Sequence, residues 1–161
     1  MRIRPTKLEM KVTSFLALAI MAIIFFLNFD VIFTKYSLDS MANDVKDTPI
    51  IKQLSIDITK SCSNVSCKFN AIASWVDENI EYRKDTPLEN FFQLNNNIEY
   101  TLKYGGDCEA KIITLIDVLS QVGISSCIVL QPGHACALVK LDGRYVPSGC
   151  FEREFLGIKC I

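Results

Sequence analysis

Hydrophobic positions change period several times along this chain, and each change predicts an element. Val12 to Phe29 is almost wholly apolar, interrupted only by Thr13, Ser14 and Asn28, and Val31, Ile32 and Phe33 follow Asp30. About twenty residues of helix span a bilayer's hydrocarbon core, so this stretch is long enough to cross one. Tyr36 to Pro49, rich in Ser, Asp and Asn, reads as a linker. Ile51, Leu54 and Ile58 are spaced for a helix over Ile50 to Lys60. Phe69, Ile72, Ala73, Val76 and Ile80 mark a second over Lys68 to Ile80, with Trp75 at the core edge. Pro87 to Asn97 is loop-rich. Ile112, Leu115, Ile116, Leu119 and Val122 then form one helical stripe, which Gly123 ends. Three strand-like runs follow: Ile124 to Leu130, His134 to Leu141, and Arg144 to Pro147, the last two joined by Asp142-Gly143, a hairpin signal. Helices followed by antiparallel strands predict an α+β domain, helices packed on the sheet. The expected organisation is a basic tail over 1–11, a transmembrane helix over 12–33, a linker over 34–49 and one domain over 50–161.

Charge orients the apolar segment. Arg2, Arg4, Lys7 and Lys11 precede it, whereas Asp30, Lys35, Asp39 and Asp44 follow. The positive-inside rule puts the N-terminus in the cytoplasm and the domain outside, as a single-pass membrane protein. Phe25, Phe26, Phe29, Phe33 and Tyr36 gather toward the far interface. A cleaved signal peptide, cut near Ser40-Met41-Ala42, is the competing reading, but the apolar stretch exceeds a usual signal core. The net charge of −1 and the lack of interleaved aromatic and basic residues exclude nucleic acid as the expected partner.

Chemistry concentrates in Tyr104-Gly105-Gly106-Asp107-Cys108-Glu109-Ala110-Lys111 and in Pro132-Gly133-His134-Ala135. Asp107 is a helix-capping type, which puts Cys108 in the first turn of the helix. Backbone N–H groups there lack intrahelical partners. They favour a thiolate, predicting a lowered thiol pKa, and are suited to stabilising an oxyanion. His134, the chain's one histidine, falls at the start of a strand beside a turn. Imidazole near neutral pH both accepts the thiol proton and donates to a leaving group. Cys108 and His134 are therefore the candidate nucleophile and base. The plain alternative is a small buried cysteine and a structural histidine.

Gly105-Gly106-Asp107-Cys108-Glu109-Ala110-Lys111, the helix after it, Val122-Gly123-Ile124, a short strand and Pro132-Gly133-His134-Ala135 resemble the core of the transglutaminase-like superfamily. The microbial transglutaminase-like cysteine peptidases are the nearest flavour. Ile72 to Arg83 resembles the helix and extended segment upstream of that core, and the resemblance covers about Ile51 to Pro147. It implies a papain-like α+β fold and attack by Cys108 on an amide carbonyl with His134 as proton shuttle. The chain departs from the pattern where an Asp orients the imidazole. That place falls near Ser148-Gly149, and neither is a carboxylate. Cys136 stands where an aromatic is often found, and Ala110 where an acid is. A side-chain amide from Gln93 or Asn95 to Asn97 is a further candidate for the oxyanion hole.

Setting Cys108 aside leaves six of the seven cysteines. An extracytoplasmic domain can keep disulfides. Spacing suggests Cys62–Cys67 and Cys150–Cys160, and Cys127–Cys136 if strand register allows; free buried thiols are the alternative. Asn64-Val65-Ser66 fits a glycosylation acceptor but equally a chance tripeptide. No tight CxxC pair suggests zinc, and no acidic loop suggests calcium, so no cofactor or metal is expected. The expected function is a membrane-anchored thiol hydrolase, a peptidase or amidase acting on a peptide or protein amide. The alternatives are acyl transfer to an amine and a catalytically retired binding or structural module.

Overall fold

Among the described residues, three short helices, a long N-terminal helix and four strands surround the helix that begins at Cys108. A computed structural model describes residues 7–44, 49–84, 86, 98–150 and 156–161, and within the first helix it leaves aside the side chains of 7–14, 26–30 and 44. The helices are α1 (Lys7–Asp44), α2 (Pro49–Thr59), α3 (Val65–Asn79), α4 (Ile98–Tyr104) and α5 (Cys108–Gln121). The strands are β1 (Ser126–Gln131), β2 (His134–Leu141), β3 (Arg144–Ser148) and β4 (Gly157–Cys160). They form one antiparallel sheet in the order β3-β2-β1-β4. The α+β class and the helix-on-sheet arrangement agree with the sequence reading.

The sequence stripe understates α5. Every residue from Ile112 to Leu119 is buried, not one face alone. The sheet covers one side, through Ile128, Ala137 and Val139, and α2 and α3 cover the other, through Ile51, Ile72 and Val76. A helix enclosed on both sides must satisfy its polar groups internally, and Thr114 does so by donating its hydroxyl to the Ala110 carbonyl at 2.9 Å.

Residues 34–44, expected as a linker, instead continue α1 into the domain. Leu38 and Met41 join the core, and Lys159 of β4 pairs with Asp39 at 2.9 Å. Polar residues on one helical face had read as a loop because the two buried positions, three apart, are too few to show a period. Gly157 lets β4 lie against this helix, since a Cβ there would stand 2.7 Å from side-chain atoms of both Thr34 and Leu38. Among the described residues no helix is long and apolar enough to cross a membrane. The segment expected to do so includes positions 12–14 and 26–30, outside the described side chains.

Strand β4 was not anticipated, being four residues long with an exposed edge. The disulfides follow from it. Cys127 and Cys160 face each other in the β1–β4 register and are bonded. Cys136 bonds Cys150, and Cys62 bonds Cys67. The Cys62–Cys67 expectation holds; Cys150–Cys160 and Cys127–Cys136 are corrected. In the β1–β2 ladder Cys127 stands opposite Leu138 and Cys136 opposite Val129, so those two thiols are out of register. Asn64 has a structural task as N-cap of α3, accepting the Cys67 N–H at 2.8 Å.

Candidate active site

The loop before α5 is built by backbone contacts that only glycine permits. Gly105 takes a φ of +77°, and a Cβ on it would stand 2.5 Å from the Glu81 carbonyl oxygen. A Cβ on Gly106 would stand 2.5 Å from Ala110 Cβ. With neither present, the extended segment after α3 lies directly on the loop. Gly106 N–H donates to Glu81 O at 3.1 Å and Arg83 N–H to Gly106 O at 3.0 Å, a parallel bridge centred on Tyr82. Asp107 then caps α5, its Oδ1 accepting the Ala110 N–H at 3.0 Å, as the sequence predicted.

Cys108 is the first residue of α5, half-buried and outside every disulfide. Its sulfur meets the backbone N–H groups of Ala135 and Glu109. Burial is the largest influence on the thiol and pushes its pKa up. The Ala135 N–H opposes this, the Asp107 carboxylate adds to it, and the Glu109 backbone N–H opposes it in turn. The net direction is upward. The expectation of a lowered pKa is therefore corrected: one helix-end N–H, that of Glu109, and one strand N–H, that of Ala135, reach the sulfur, but desolvation outweighs them, helped by the carboxylates of Asp107 and Glu109.

His134 begins β2, just after Gly133, which turns the chain at a φ of +67°. Its Nε2 lies 2.8 Å from the Gly149 carbonyl oxygen. A carbonyl only accepts, so Nε2 carries a proton at this contact. Cys108 and His134 line the same cleft, of about 290 Å³. Tyr82, Asp77, Lys111, Ser148 and Gly149 also line it. Lys111 pairs with Asp77 at 3.2 Å, joining α5 to α3 at the cleft.

Sequence reasoning named Cys108 and His134 but missed Tyr82, the Asp77–Lys111 pair and the Gly149 carbonyl. Lys111 closes the motif around Cys108, and Asp77 and Tyr82 lie in the Ile72 to Arg83 segment, but no sequence signal assigned any of the three a task. Gly149 contributes a main-chain atom, which no residue identity advertises. Gln93 and Asn95 to Asn97 lie outside the described residues. Trp75 packs partly buried against the core. Among the described residues no cluster of three His, Cys, Asp or Glu side chains is placed to hold a metal ion.

The same fold is found in two solved structures. A candidate protease from Parabacteroides distasonis superposes with a TM-score of 0.57 at 15% identity, over 71% of this chain and 26% of its own. A candidate cysteine protease from Cytophaga hutchinsonii superposes with a TM-score of 0.51 at 14% identity, over 68% of this chain and 41% of its own. This chain thus matches less than half the length of either. No family model and no curated protein matches the sequence. At such identities the likeness shows a shared protease-like α+β fold.

Proposed function

We propose that this chain is a thiol hydrolase of transglutaminase-like fold that cleaves amide bonds in peptides or proteins. The reading is carried by one observation: Cys108, at the start of α5, and His134, at the start of β2, line one cleft, and the Cys108 sulfur meets the N–H of the residue after His134. As Cys108 Sγ bonds to the substrate carbonyl carbon, the thiol proton passes to His134 Nδ1. The carbonyl oxygen becomes an oxyanion, facing the first-turn N–H groups of α5. Those groups precede the helical ladder, whose first bond runs from Lys111 N–H to Asp107 O. The C–N bond then breaks as His134 returns the proton to the leaving amine. Water, deprotonated by His134, releases the acid from the thioester and restores the thiol.

The raised thiol pKa fits a Cys108 that rests as the thiol and gives up its proton only during attack. It also favours the second reading, a retired site that binds without cleaving, because burial disfavours a preformed thiolate. Iodoacetamide labelling and hydrolysis of fluorogenic peptide amides by the full chain separate the two. The hydrolase predicts turnover that Cys108→Ala abolishes and His134→Ala lowers by about 100-fold or more. No turnover, with Cys108 labelling unaffected by His134→Ala, assigns the cleft to binding.

The apolar half of α1 supports a membrane anchor, N-terminus cytoplasmic and domain outside. Phe15, Leu16, Leu18, Met21, Ile23 and Phe25 are all exposed, and side chains of that kind around a helix require an apolar surrounding. Three disulfides agree with a domain held outside the cytoplasm. Carbonate extraction and protease protection of the expressed chain test this placement.

A further inference from the structure

On the α5 side of the cleft, Cys108, Lys111, Ile112 and Leu115 stand at positions i, i+3, i+4 and i+7, one stripe along the helix. On the α3 side, Ala73, Val76 and Asp77 repeat that spacing at i, i+3 and i+4. The cleft is thus a groove between two facing helical stripes. It starts at the nucleophile and follows α5 for about 10 Å of helix. Beyond Cys108 the lining is apolar below and charged at one place only among these helical positions. Val76, Ile112 and Leu115 are buried and form the floor. Ala73 stands between the larger Phe69 and Val76 on its helix face, and its single methyl indents the wall. Lys111 and Asp77 pair across the groove at 3.2 Å, so together they bring it no net charge. Lys111 is only 19% exposed and Asp77 80%, which places the lysine stem along the wall and its charge toward a solvated carboxylate. The volume of about 290 Å³ stands at the small end of ligand pockets, which run from about 300 to 1,000 Å³. That size suits one side chain and its peptide unit, not a run of residues.

We infer that this groove is a specificity subsite that takes one large apolar side chain (leucine, methionine or phenylalanine in kind) from the residue beside the amide bond that Cys108 attacks. The inference rests on the hydrolase reading for the amide bond, and on the chemistry of the walls for the side chain. Contact with Ala73, Val76, Ile112 and Leu115 withdraws such a side chain from water. An acidic or basic side chain would give up hydration against the same walls, while Lys111 and Asp77 are engaged with each other. An alanine would leave most of the apolar wall uncovered. Because the groove begins at Cys108, binding along it also holds the scissile carbonyl beside the sulfur, so selectivity and positioning come from the same contacts.

Peptides varied on both sides of a single amide, offered to the full-length chain in detergent micelles, test this. Leu, Met or Phe beside the bond should be favoured over Ala, Asp or Lys by about 10-fold or more in kcat/KM. Ala73→Leu fills the indent and should bring that ratio down toward one. Val76→Ala deepens the groove and should move the preference from Leu toward Phe. Should Ala73→Leu fail to fold, Val76→Ala and the wild-type profile still decide. A preference for acidic side chains would assign the groove to Lys111, and one for basic side chains to Asp77; either overturns the inference, as does an apolar preference that both variants leave in place. Binding of fluorescent peptides to Cys108→Ala separates the subsite from the chemistry. A Leu-bearing peptide held about 10-fold more tightly than its Asp counterpart, and released by adding Ala73→Leu, keeps the subsite even where the wild type cleaves nothing and the hydrolase is rejected. Turnover indifferent to the side chain keeps the hydrolase and rejects the subsite; neither turnover nor selective binding rejects both.

Discussion

Helices α1 and α5 are both rich in apolar residues, yet they use them in opposite ways. Ile116 in α5 is fully buried between the sheet and the α2–α3 pair, whereas Ile20 in α1 is 48% exposed. The same residue type thus stabilises the domain in one helix and stands half-exposed in the other. Only the C-terminal part of α1 contributes to the core, through Leu38 and Met41. The contrast separates folding from placement: α5 holds the domain together and presents Cys108, while the N-terminal half of α1 offers exposed apolar side chains to the proposed anchor.

The largest expected break in this comparison is Ile116→Ala. Deleting a fully buried side chain between two layers should cost about 2–5 kcal/mol of unfolding free energy. Ile20→Ala should leave urea unfolding of the domain within about 0.5 kcal/mol of wild type. Equal losses in the two variants would mean that the exposed half of α1 has a protein partner. Ile20→Arg probes the other side. An arginine near a bilayer's centre costs about 2.5–3.5 kcal/mol on insertion scales, so membrane retention on carbonate extraction should drop while domain unfolding does not change. Retention equal to wild type counts against the anchor.

Gly105→Ala should follow, at about 1–3 kcal/mol, from a left-handed backbone and the close approach of Glu81 O. It should also displace Tyr82 from the cleft, so Cys108 labelling would change along with stability. A loss of stability with unaltered labelling would show that the loop does not position the site.

The pH dependence of Cys108 comes next. Its folded-state pKa is raised, chiefly by burial. Below the unfolded-state value both states keep the proton. As pH rises beyond it the unfolded chain ionises first, so stability falls until pH passes the folded value, where the slope ends. Cys108→Ala should remove that alkaline slope, and the wild-type alkylation rate should reach half-maximum above the ordinary thiol range. A midpoint below that range would restore the lowered thiol pKa predicted from the sequence.

The smallest effect belongs to the exposed Lys159–Asp39 pair, where the hydrogen bond and charge of Lys159 lower the Asp39 pKa. A depressed carboxylate contributes stability above its unfolded-state pKa and loses it as pH falls through the folded one. Lys159→Gln should flatten the acid limb of the stability curve slightly, and more so at low salt. An acid limb identical to wild type would show that the pair adds nothing to the packing of β4 on α1.

Local rules reached much of this molecule from the sequence. Helical spacing found α2, α3 and α5; Asp107 and Gly123 marked the ends of α5; and Asp142-Gly143 marked the β2–β3 turn. These features depend on neighbours within about one helical turn, or on two turn residues, and such signals survive without knowledge of the fold. Cys108 and His134 were legible because a helix start and a strand start are local too, and the structure lines one cleft with both. The remaining features were decided only in three dimensions. Register pairs Cys127 with Cys160 and not with Cys136, and register is fixed by packing of whole strands. Enclosure of α5 by two layers makes desolvation prevail at the Cys108 thiol, reversing the direction that the helix end alone implied. One partner of the imidazole is a main-chain oxygen brought 15 residues back by a hairpin. Every peptide unit carries such an oxygen, so only the folded chain could say which one faces His134.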